Sequence, residues 1–191
     1  DRTARMPMSR GKALTHTEGA EERKETTAAT PQRSVQMEMT MREIGTVSAK
    51  RGYAVKLSKE FADGLIGLEG FSHVVVVWYA SKAPDWNPKG LTMEKPYRGA
   101  PDRMGVFATR SSIRPNGVCV SVAAVSSVDV KNGAIKLWWI DAEDGTPVLD
   151  VKPYYHCSEY ARDATFPEWC ADWPASLEES GNFAWDKVFL F

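Results

Sequence analysis

The sequence is poor in cysteine and has no long apolar run, and each shortage excludes a class of protein. Its 191 residues contain only three cysteines, Cys119, Cys157 and Cys170. Because an odd number with no repeated spacing does not suit a disulfide framework, we expect a reducing compartment and a cytoplasmic protein. No apolar run approaches the roughly 18 residues of a membrane-spanning helix, and the first residues lack a hydrophobic signal core. We therefore expect neither membrane insertion nor export.

The sequence also lacks a recognisable metal-binding motif. His156 and Cys157 are adjacent, and Cys170 follows 13 residues after Cys157. Structural zinc sites instead use pairs of ligands separated by two to four residues. We therefore predict no metal site, and we interpret the three thiols as buried or idle.

Large aliphatic side chains are scarce in residues 1–38, which are rich in Thr, Ala, Glu, Lys and Arg. Such a segment cannot bury enough apolar surface to offset the entropy of ordering. We predict a disordered or weakly helical tail over 1–38, a β-domain over 39–156, and an aromatic and acidic extension over 157–191 that packs on it.

Charge is balanced overall, with a net charge of -1, but it is distributed unevenly. Residues 141–191 hold 11 acidic and 3 basic side chains, whereas residues 95–116 hold 5 basic side chains and 1 acidic one. A local basic patch in a neutral protein suits a focused anionic ligand, such as one part of an RNA, better than a long duplex.

Hydrophobic patterns predict about seven strands and almost no helix before residue 158. The predicted strands cover 39–47, 53–58, 71–80, 103–109, 118–130 (bent near Ser126 and Ser127), 134–140 and 148–151. A short helical turn or an irregular connector is predicted over 61–68, a long loop over 81–101, and an Asn-Gly hairpin turn at 131–133. Short strands joined by hairpins favour a closed or nearly closed antiparallel barrel, or a sandwich. In the extension, Trp169, Trp173, Trp185 and Phe189 predict short helical turns that dock aromatic rings on the barrel or on a partner.

The connection between the strands at 103–109 and 118–130 carries two arginines, Arg110 and Arg114. Two guanidinium groups on one loop can form an anion clamp for a carboxylate or a phosphate. A polar hairpin loop with solvated arginines is the alternative, and the residues alone leave both interpretations open.

Three blocks in order carry a family resemblance. They are GLEGFSH at 67–73, RMGVFATRS at 103–111 followed by RPN at 114–116, and DGTPVLDVKPY at 144–154. Over roughly residues 42–156 the chain resembles the TsaA/TrmO-like family of S-adenosylmethionine-dependent tRNA methyltransferases. The resemblance implies a mainly β protein with a single-sheeted antiparallel β-barrel, and a homodimer with the cofactor near the subunit interface. It also implies methyl transfer to N6 of threonylcarbamoyladenosine next to the anticodon of threonine tRNA.

The resemblance implies roles for particular residues. It implies that S-adenosylmethionine is bound by Ser81, Lys82, Arg110, Val120, Asp144, Gly145, Thr146 and Pro147. It implies catalytic roles for Asp144 and Tyr154. It implies that the substrate is bound by Arg114, Asp150 and Lys152. Family members commonly carry a histidine where Ser81 and Lys82 stand. Read on residues alone, Asp144 also suits an ordinary Asp-Gly turn, and Asp150 with Lys152 suits a salt-bridged strand face.

Three functions remain open at this point. The first is a tRNA methyltransferase, and the second is a methyltransferase on another acceptor. The third is a barrel without catalysis that serves as a binding or dimerisation module.

Overall fold

The computed structural model describes residues 39–190, in which six strands close into one antiparallel barrel. The barrel order is β1-β2-β7-β6-β3-β8. The strands are β1 Gly45–Ser48, β2 Tyr53–Leu57, β3 His73–Tyr79, β4 Thr92–Glu94, β5 Arg103–Gly105, β6 Val118–Asp129, β7 Ala134–Leu137 and β8 Pro147–Pro153. The two strands outside the barrel, β4 and β5, pair with each other. This architecture confirms the predicted single-sheeted antiparallel barrel.

The barrel interior is filled by branched aliphatic side chains from alternate strand positions. Six valine and isoleucine side chains are almost fully buried there: Val47, Val55, Val74, Val76, Ile135 and Val148. In a strand, every second residue points to the same face, so this spacing directs one row from each strand inward. Burial of this apolar surface is the main stabilising term of the fold.

The long strand β6 bends where the sequence predicts it. Its pairing register shifts between Val125 and Ser127, which marks a β-bulge at Ser126. Before the bulge β6 pairs with β3, and from Val125 onward it pairs with β7. Bulges of this kind curve a sheet and help it to close.

The predicted strand over 103–109 is wrong beyond Gly105. Residues Val106–Ala108 form a 3-10 turn instead. The Val106 amide donates to the Leu91 carbonyl, and the Thr109 hydroxyl donates to the Val106 carbonyl at 2.9 Å. These bonds satisfy the turn locally, so no neighbouring strand is needed beyond Gly105.

Other boundaries also differ from the prediction. The first strand begins at Gly45 rather than at residue 39, because its partner β2 ends at Leu57, directly opposite Gly45. The strand β7 ends at Leu137 rather than Ile140, and β8 covers 147–153 rather than 148–151. The 3-10 helices Lys59–Leu65 and Leu68–Gly70 confirm the helical connector, and a positive φ at Gly133 confirms the predicted hairpin turn.

Antiparallel pairing places the longest connection, residues 80–117, at one end of the barrel. Strands β1, β3 and β7 end there, and β2, β6 and β8 begin there. We call this the loop end; it carries residues 49–52, 80–117 and 138–146. The opposite end carries residues 58–72, 130–133 and the chain after Pro153.

The extension forms short helical turns, as predicted. They are α1 His156–Glu159, α2 Leu177–Ser180 and the 3-10 helices Glu168–Cys170 and Trp185–Lys187. Trp169 stacks on Tyr97 with ring centroids 5.6 Å apart, and Trp173 meets the same ring edge-on at 5.4 Å. With Ala100 and Met104 these rings form a second, smaller core.

The predicted tail over 1–38 lies outside the described residues. Among residues 39–190, the helices are all too short and too polar to span a bilayer.

Candidate functional site

The arginine loop lies at the loop end, against the start of β6. Arg110 donates from Nη2 to the Val120 carbonyl at 2.6 Å. This bond attaches the guanidinium to β6 while its other N–H donors stay exposed. Val120, which the resemblance implies in cofactor binding, thus lies next to Arg110.

Arg114 is held by a different set of contacts. Its Nη1 donates to the Ser111 carbonyl at 3.5 Å, and its guanidinium carbon lies 5.9 Å from the centroid of the Phe107 ring. A guanidinium over an aromatic face is a favourable cation–π contact. The side chain is half-buried and lines a cavity.

That cavity, which we call the rim cavity, has a volume of about 340 Å³. It lies between the end of β3 and the residues that lead into β6. Its lining includes Tyr79, Ser81, Trp86, Ser112, Arg114 and Gly117. The volume falls within the range typical of small-molecule sites, about 300–1,000 Å³.

The Asp-Gly-Thr-Pro turn is fixed to the end of β1. One carboxylate oxygen of Asp144 accepts from the Ala49 amide at 3.0 Å, and the other lies 3.1 Å from Lys50 Nζ. The Gly145 amide donates to the Val47 carbonyl at 2.7 Å with φ at +80°, a backbone conformation that favours glycine. Thr146 is buried between these contacts. The turn is therefore a rigid part of the barrel.

The bond from the Ala49 amide is the largest cause that lowers the pKa of Asp144, followed by the contact with Lys50. Both contacts favour the charged form. Asp144 therefore stays ionised at neutral pH.

Lys82 connects the end of β3 to this turn. Its Nζ donates to the Asp144 carbonyl at 2.7 Å and lies 3.3 Å from Glu143 Oε2. The segment that lines the rim cavity at Ser81 is therefore tied to the Asp-Gly-Thr-Pro turn. The arginine loop and the turn thus lie at the same end of one barrel.

The pKa of the Cys119 thiol depends on the charged side chains near the start of β6. Burial raises its pKa, Arg114 and Arg110 lower it, and Asp141 raises it. Coulombic influence of this kind requires the charges to be near the thiol. Both arginines and one acid of the 138–146 loop therefore surround the start of β6.

The structure does not bring every predicted site residue to this end. Tyr154 follows β8 at the opposite end, where its amide donates to the His73 carbonyl at 3.1 Å. It lies seven positions after Pro147, the last residue of the turn, a distance of about 23 Å at the usual rise per residue. Asp150 and Lys152 lie on the outer face of β8 and form an ion pair with each other. That contact with Asp150 raises the pKa of Lys152.

Sequence reasoning missed several residues of the site. Tyr79 and Trp86 line the rim cavity, and Lys50 pairs with Asp144. A polar-tipped aromatic at the end of an apolar strand is a usable signal for Tyr79, but the partner of Asp144 is set by the closure of the barrel. Within residues 39–190, no group of three His, Cys, Asp or Glu side chains is arranged to hold a metal ion.

Comparison with known sequences gives one family. The sequence profile described as "tRNA-methyltransferase O N-terminal domain" matches residues 31–159. That range covers about two thirds of the chain and contains all six barrel strands.

Individual relatives agree with the profile. The chain is 36% identical over 130 residues to the tRNA (adenine(37)-N6)-methyltransferase of Escherichia coli, covering 62% of this chain and 54% of that protein. It is 37% identical over 102 residues to an S-adenosyl-L-methionine-binding protein of Archaeoglobus fulgidus, covering 52% of this chain and 67% of that one. The crystal structure of TrmO from Pseudomonas aeruginosa superposes with a TM-score of 0.53 at 28% identity, covering 68% of this chain and 62% of that one. The chain thus spans about half the length of the Escherichia coli protein.

Proposed function

Since the chain belongs to the tRNA-methyltransferase O family, we propose that its barrel binds S-adenosylmethionine and transfers the methyl group to N6 of an adenine in tRNA. The names of the Escherichia coli and Archaeoglobus fulgidus relatives support the acceptor and the cofactor respectively. A tRNA substrate also agrees with the cytoplasmic location expected from the cysteine content.

One observation carries the proposal. The exposed N–H donors of Arg110 and the ionised carboxylate of Asp144 lie at the same end of the barrel, where Lys82 ties the segment after β3 to the turn. A zwitterionic ligand with a carboxylate and two positive centres needs both signs of charge within one site. In this proposal the arginine loop supplies the positive charge and the turn supplies the negative charge.

The residues at the loop end fit the chemical groups of S-adenosylmethionine. Arg110 keeps free donors for the carboxylate, since only one of its N–H groups is used by Val120. Tyr79 and Trp86 offer aromatic faces to the adenine in the rim cavity. Ser81 lines that cavity, and Thr146 and Pro147 belong to the adjoining turn. The backbone groups of these residues can complete the contacts to the ribose and the ammonium group.

The cofactor supplies an electrophilic methyl group on sulfonium sulfur, so the chain needs to orient the acceptor more than to activate it. Asp144 acts in this proposal as a positioning residue, because both carboxylate oxygens already hold the end of β1. Its negative charge also favours a positive centre beside the turn. Arg114 would contact a tRNA phosphate at the mouth of the cavity.

We infer that the acceptor is an adenine next to the anticodon, and that it carries the threonylcarbamoyl group. The first part follows the name of the Escherichia coli relative, and the second follows the family resemblance. Methylation assays with threonine tRNA that carries or lacks the modification separate the two parts. Equal rates on both tRNAs would remove the threonylcarbamoyl group from the proposal.

We also propose that the chain forms a homodimer. Phe107, Ile113 and Val120 expose apolar surface around the loop end. Tyr154 and the Asp150–Lys152 pair are distant from the rim cavity of their own chain, so they would reach a site only in a second copy. Light scattering should give twice the monomer mass, and a monomer mass at working concentration would contradict the dimer.

Calorimetric titration with S-adenosylmethionine, followed by transfer of its labelled methyl group to bulk tRNA, tests the central proposal. We expect saturable binding and label in the tRNA. Binding without transfer to tRNA would favour another acceptor, and no binding would favour a barrel that serves only as a binding or dimerisation module.

A further inference from the structure

We propose that Trp138 and Trp139, with the lysines of the adjoining outer strand face, form a stacking surface for unpaired nucleotides of the RNA substrate. We call this surface, made of Lys56, Lys136, Trp138 and Trp139, the tryptophan platform. The inference rests on the proposed function, because it names how that site would hold its substrate.

The strand pattern decides which way these side chains point. On β7, Ile135 and Leu137 are buried inside the barrel, so Lys136 and Trp138 point outward. On β2, Val55 is buried inside, so Lys56 points outward too. In the pairing of β2 with β7, Ala54 lies directly opposite Lys136. Lys56 lies two residues further along β2, so it is the diagonal neighbour of Lys136, about 7–8 Å away.

Both indole rings are unusually exposed. Trp138 is 73% exposed and Trp139 is 52% exposed. By contrast, the ring nitrogen of Trp78 donates to the Ser121 hydroxyl, and that of Trp185 donates to the Ser180 carbonyl. In the described part of the chain, the ring nitrogens of Trp138 and Trp139 have no such acceptor. The two solvent-exposed indole rings offer apolar surface that no residue from 39 to 190 covers.

The platform is fixed to the barrel rather than carried on a mobile tip. The Trp138 amide donates to the Ala124 carbonyl at 3.0 Å, which extends the ladder between β7 and β6 by one residue. Ile140 is almost fully buried two residues later. The backbone of the tryptophan pair is therefore held between two anchored positions.

Unpaired basic side chains on the strand face favour a polyanion; of the acidic side chains in the loop that follows, Glu143 and Asp144 are paired with Lys82 and Lys50, and Asp141 is exposed. Lys56 and Lys136 form no ion pair with any residue from 39 to 190, and neither does Arg51 in the adjoining hairpin. Asp129 is near Lys136, but its carboxylate is held by Asn132 in its own turn. Aromatic faces beside unpaired basic side chains are typical of single-stranded nucleic-acid sites.

A second copy of the chain is a poorer occupant of this surface. In a two-fold symmetric interface the same patch meets itself, which would bring the lysines of both copies together. Interface cores are also depleted in lysine. The platform adjoins the loop end, because the 138–146 loop that begins with the tryptophan pair also carries Asp144. RNA on the platform would therefore lie beside the proposed methyl-transfer site.

The test measures binding of a fluorescently labelled tRNA anticodon stem-loop to the full chain by anisotropy. Trp138→Ala should raise the dissociation constant about tenfold or more, within the range for one lost base stack. Trp138→Phe should recover most of the affinity because it keeps an aromatic face. Phe166→Ala, which removes an exposed ring from the extension, is the matched control and should change nothing.

A charge variant gives a second readout that does not depend on the ring. Lys136→Glu should weaken RNA binding and reduce its salt dependence, whereas Lys131→Glu, at the opposite end of the barrel, should do neither. S-adenosylmethionine binding should be the same in all variants, since none of them alters the rim cavity or the turn.

Two outcomes would overturn the platform while leaving the proposed function intact. One is wild-type tRNA methylation with unchanged RNA affinity in Trp138→Ala. The other is conversion of a dimer to a monomer by Trp138→Ala in light scattering, which would assign the surface to a subunit contact. If the wild-type chain neither binds S-adenosylmethionine nor methylates tRNA, it is the proposed function that fails.

Discussion

Arg110 shows how a loop side chain becomes positioned without being buried. A single bond to the Val120 carbonyl fixes its guanidinium to β6, and the remaining donors face solvent. A positioned guanidinium binds a carboxylate with less loss of side-chain entropy than a solvated one. At the scale of single residues, the site is thus prepared by backbone contacts that no motif reveals.

Arg110→Ala should weaken S-adenosylmethionine binding by about 1.5–3 kcal/mol, the usual range for a hydrogen bond to a charged group. Calorimetric titration measures the change. Arg98→Ala is a matched control, since the Arg98 side chain likewise donates to one carbonyl, that of Lys187 at 2.8 Å, but in the extension. An unchanged dissociation constant in Arg110→Ala would remove this residue from the site.

Asp144→Asn should make the stability of the chain less dependent on acid pH. The pKa of Asp144 is lowered in the folded state, chiefly by the Ala49 amide and then by Lys50. Its ionised form therefore stabilises the fold above the unfolded pKa of about 3.9, and this contribution is lost as pH falls through the lower folded value. Urea unfolding should show the variant less stable than wild type near about pH 6, and the gap should narrow as the pH falls below about 3.9.

Asp163→Asn is the control for that measurement, because Asp163 makes no side-chain hydrogen bond or ion pair with a described residue. It should match wild type at both pH values. A gap for Asp144→Asn that persists undiminished in acid would show that the carboxylate charge is not what holds the turn.

At Gly45, strands β1 and β2 approach each other more closely than a side chain at that position would allow. A Cβ added at Gly45 would lie 2.2 Å from the Lys56 carbonyl oxygen and 2.7 Å from the Leu57 Cα. Both obstacles are backbone atoms, so they cannot turn aside as a side chain would. The contact closes the barrel beside β8, and glycine is required for that reason.

Gly45→Ala should destabilise the chain by about 1–3 kcal/mol, as overpacking in a rigid site does. Gly64→Ala is the control, because an added Cβ there meets no atom within 4 Å and Gly64 has no positive φ. Urea unfolding compares the two variants. Equal stabilities would mean that β1 can shift to accommodate a methyl group.

Elements also show where sequence reasoning succeeds and where it stops. The apolar run of β3 and the alternation of β2 are local signals, so both strands were predictable, as was the bend of β6 at its serine pair. The turn at Val106 was not, because it depends on the Leu91 carbonyl and the Thr109 hydroxyl. Likewise the two arginines and the Asp-Gly turn could be singled out from motifs. However, the bond between Ala49 and Asp144 spans 95 positions and exists only after the barrel closes.

Across the whole molecule, a barrel is combined with a second core built by the extension. Tyr97 belongs to the long segment between β3 and β6, yet Trp169 and Trp173 from the extension pack against it. The His73 side chain at the start of β3 also lies 4.0 Å from Glu178 of α2. The extension therefore packs on the segment that leads to the arginine loop, and it also reaches the opposite end of the barrel.

Trp173→Ala should lower the free energy of unfolding by about 2–4 kcal/mol, somewhat below the usual cost for a fully buried tryptophan because this ring is half-buried. Tyr160→Ala, which removes an exposed ring of the same extension, should cost less than about 0.5 kcal/mol. Thermal or urea unfolding checks both. Similar losses in the two variants would mean that the second core contributes little.

The aromatic second core also gives the protein its own spectroscopic reporter. The rings of Tyr97, Trp169, Trp173 and Trp185 form a chain with successive centroids 5.3–5.6 Å apart. Chromophores this close couple their electronic transitions, so near-ultraviolet circular dichroism would follow detachment of the extension even while the barrel stays folded. Trp138 lies outside this chain of rings, so RNA bound there would leave this coupled signal unchanged.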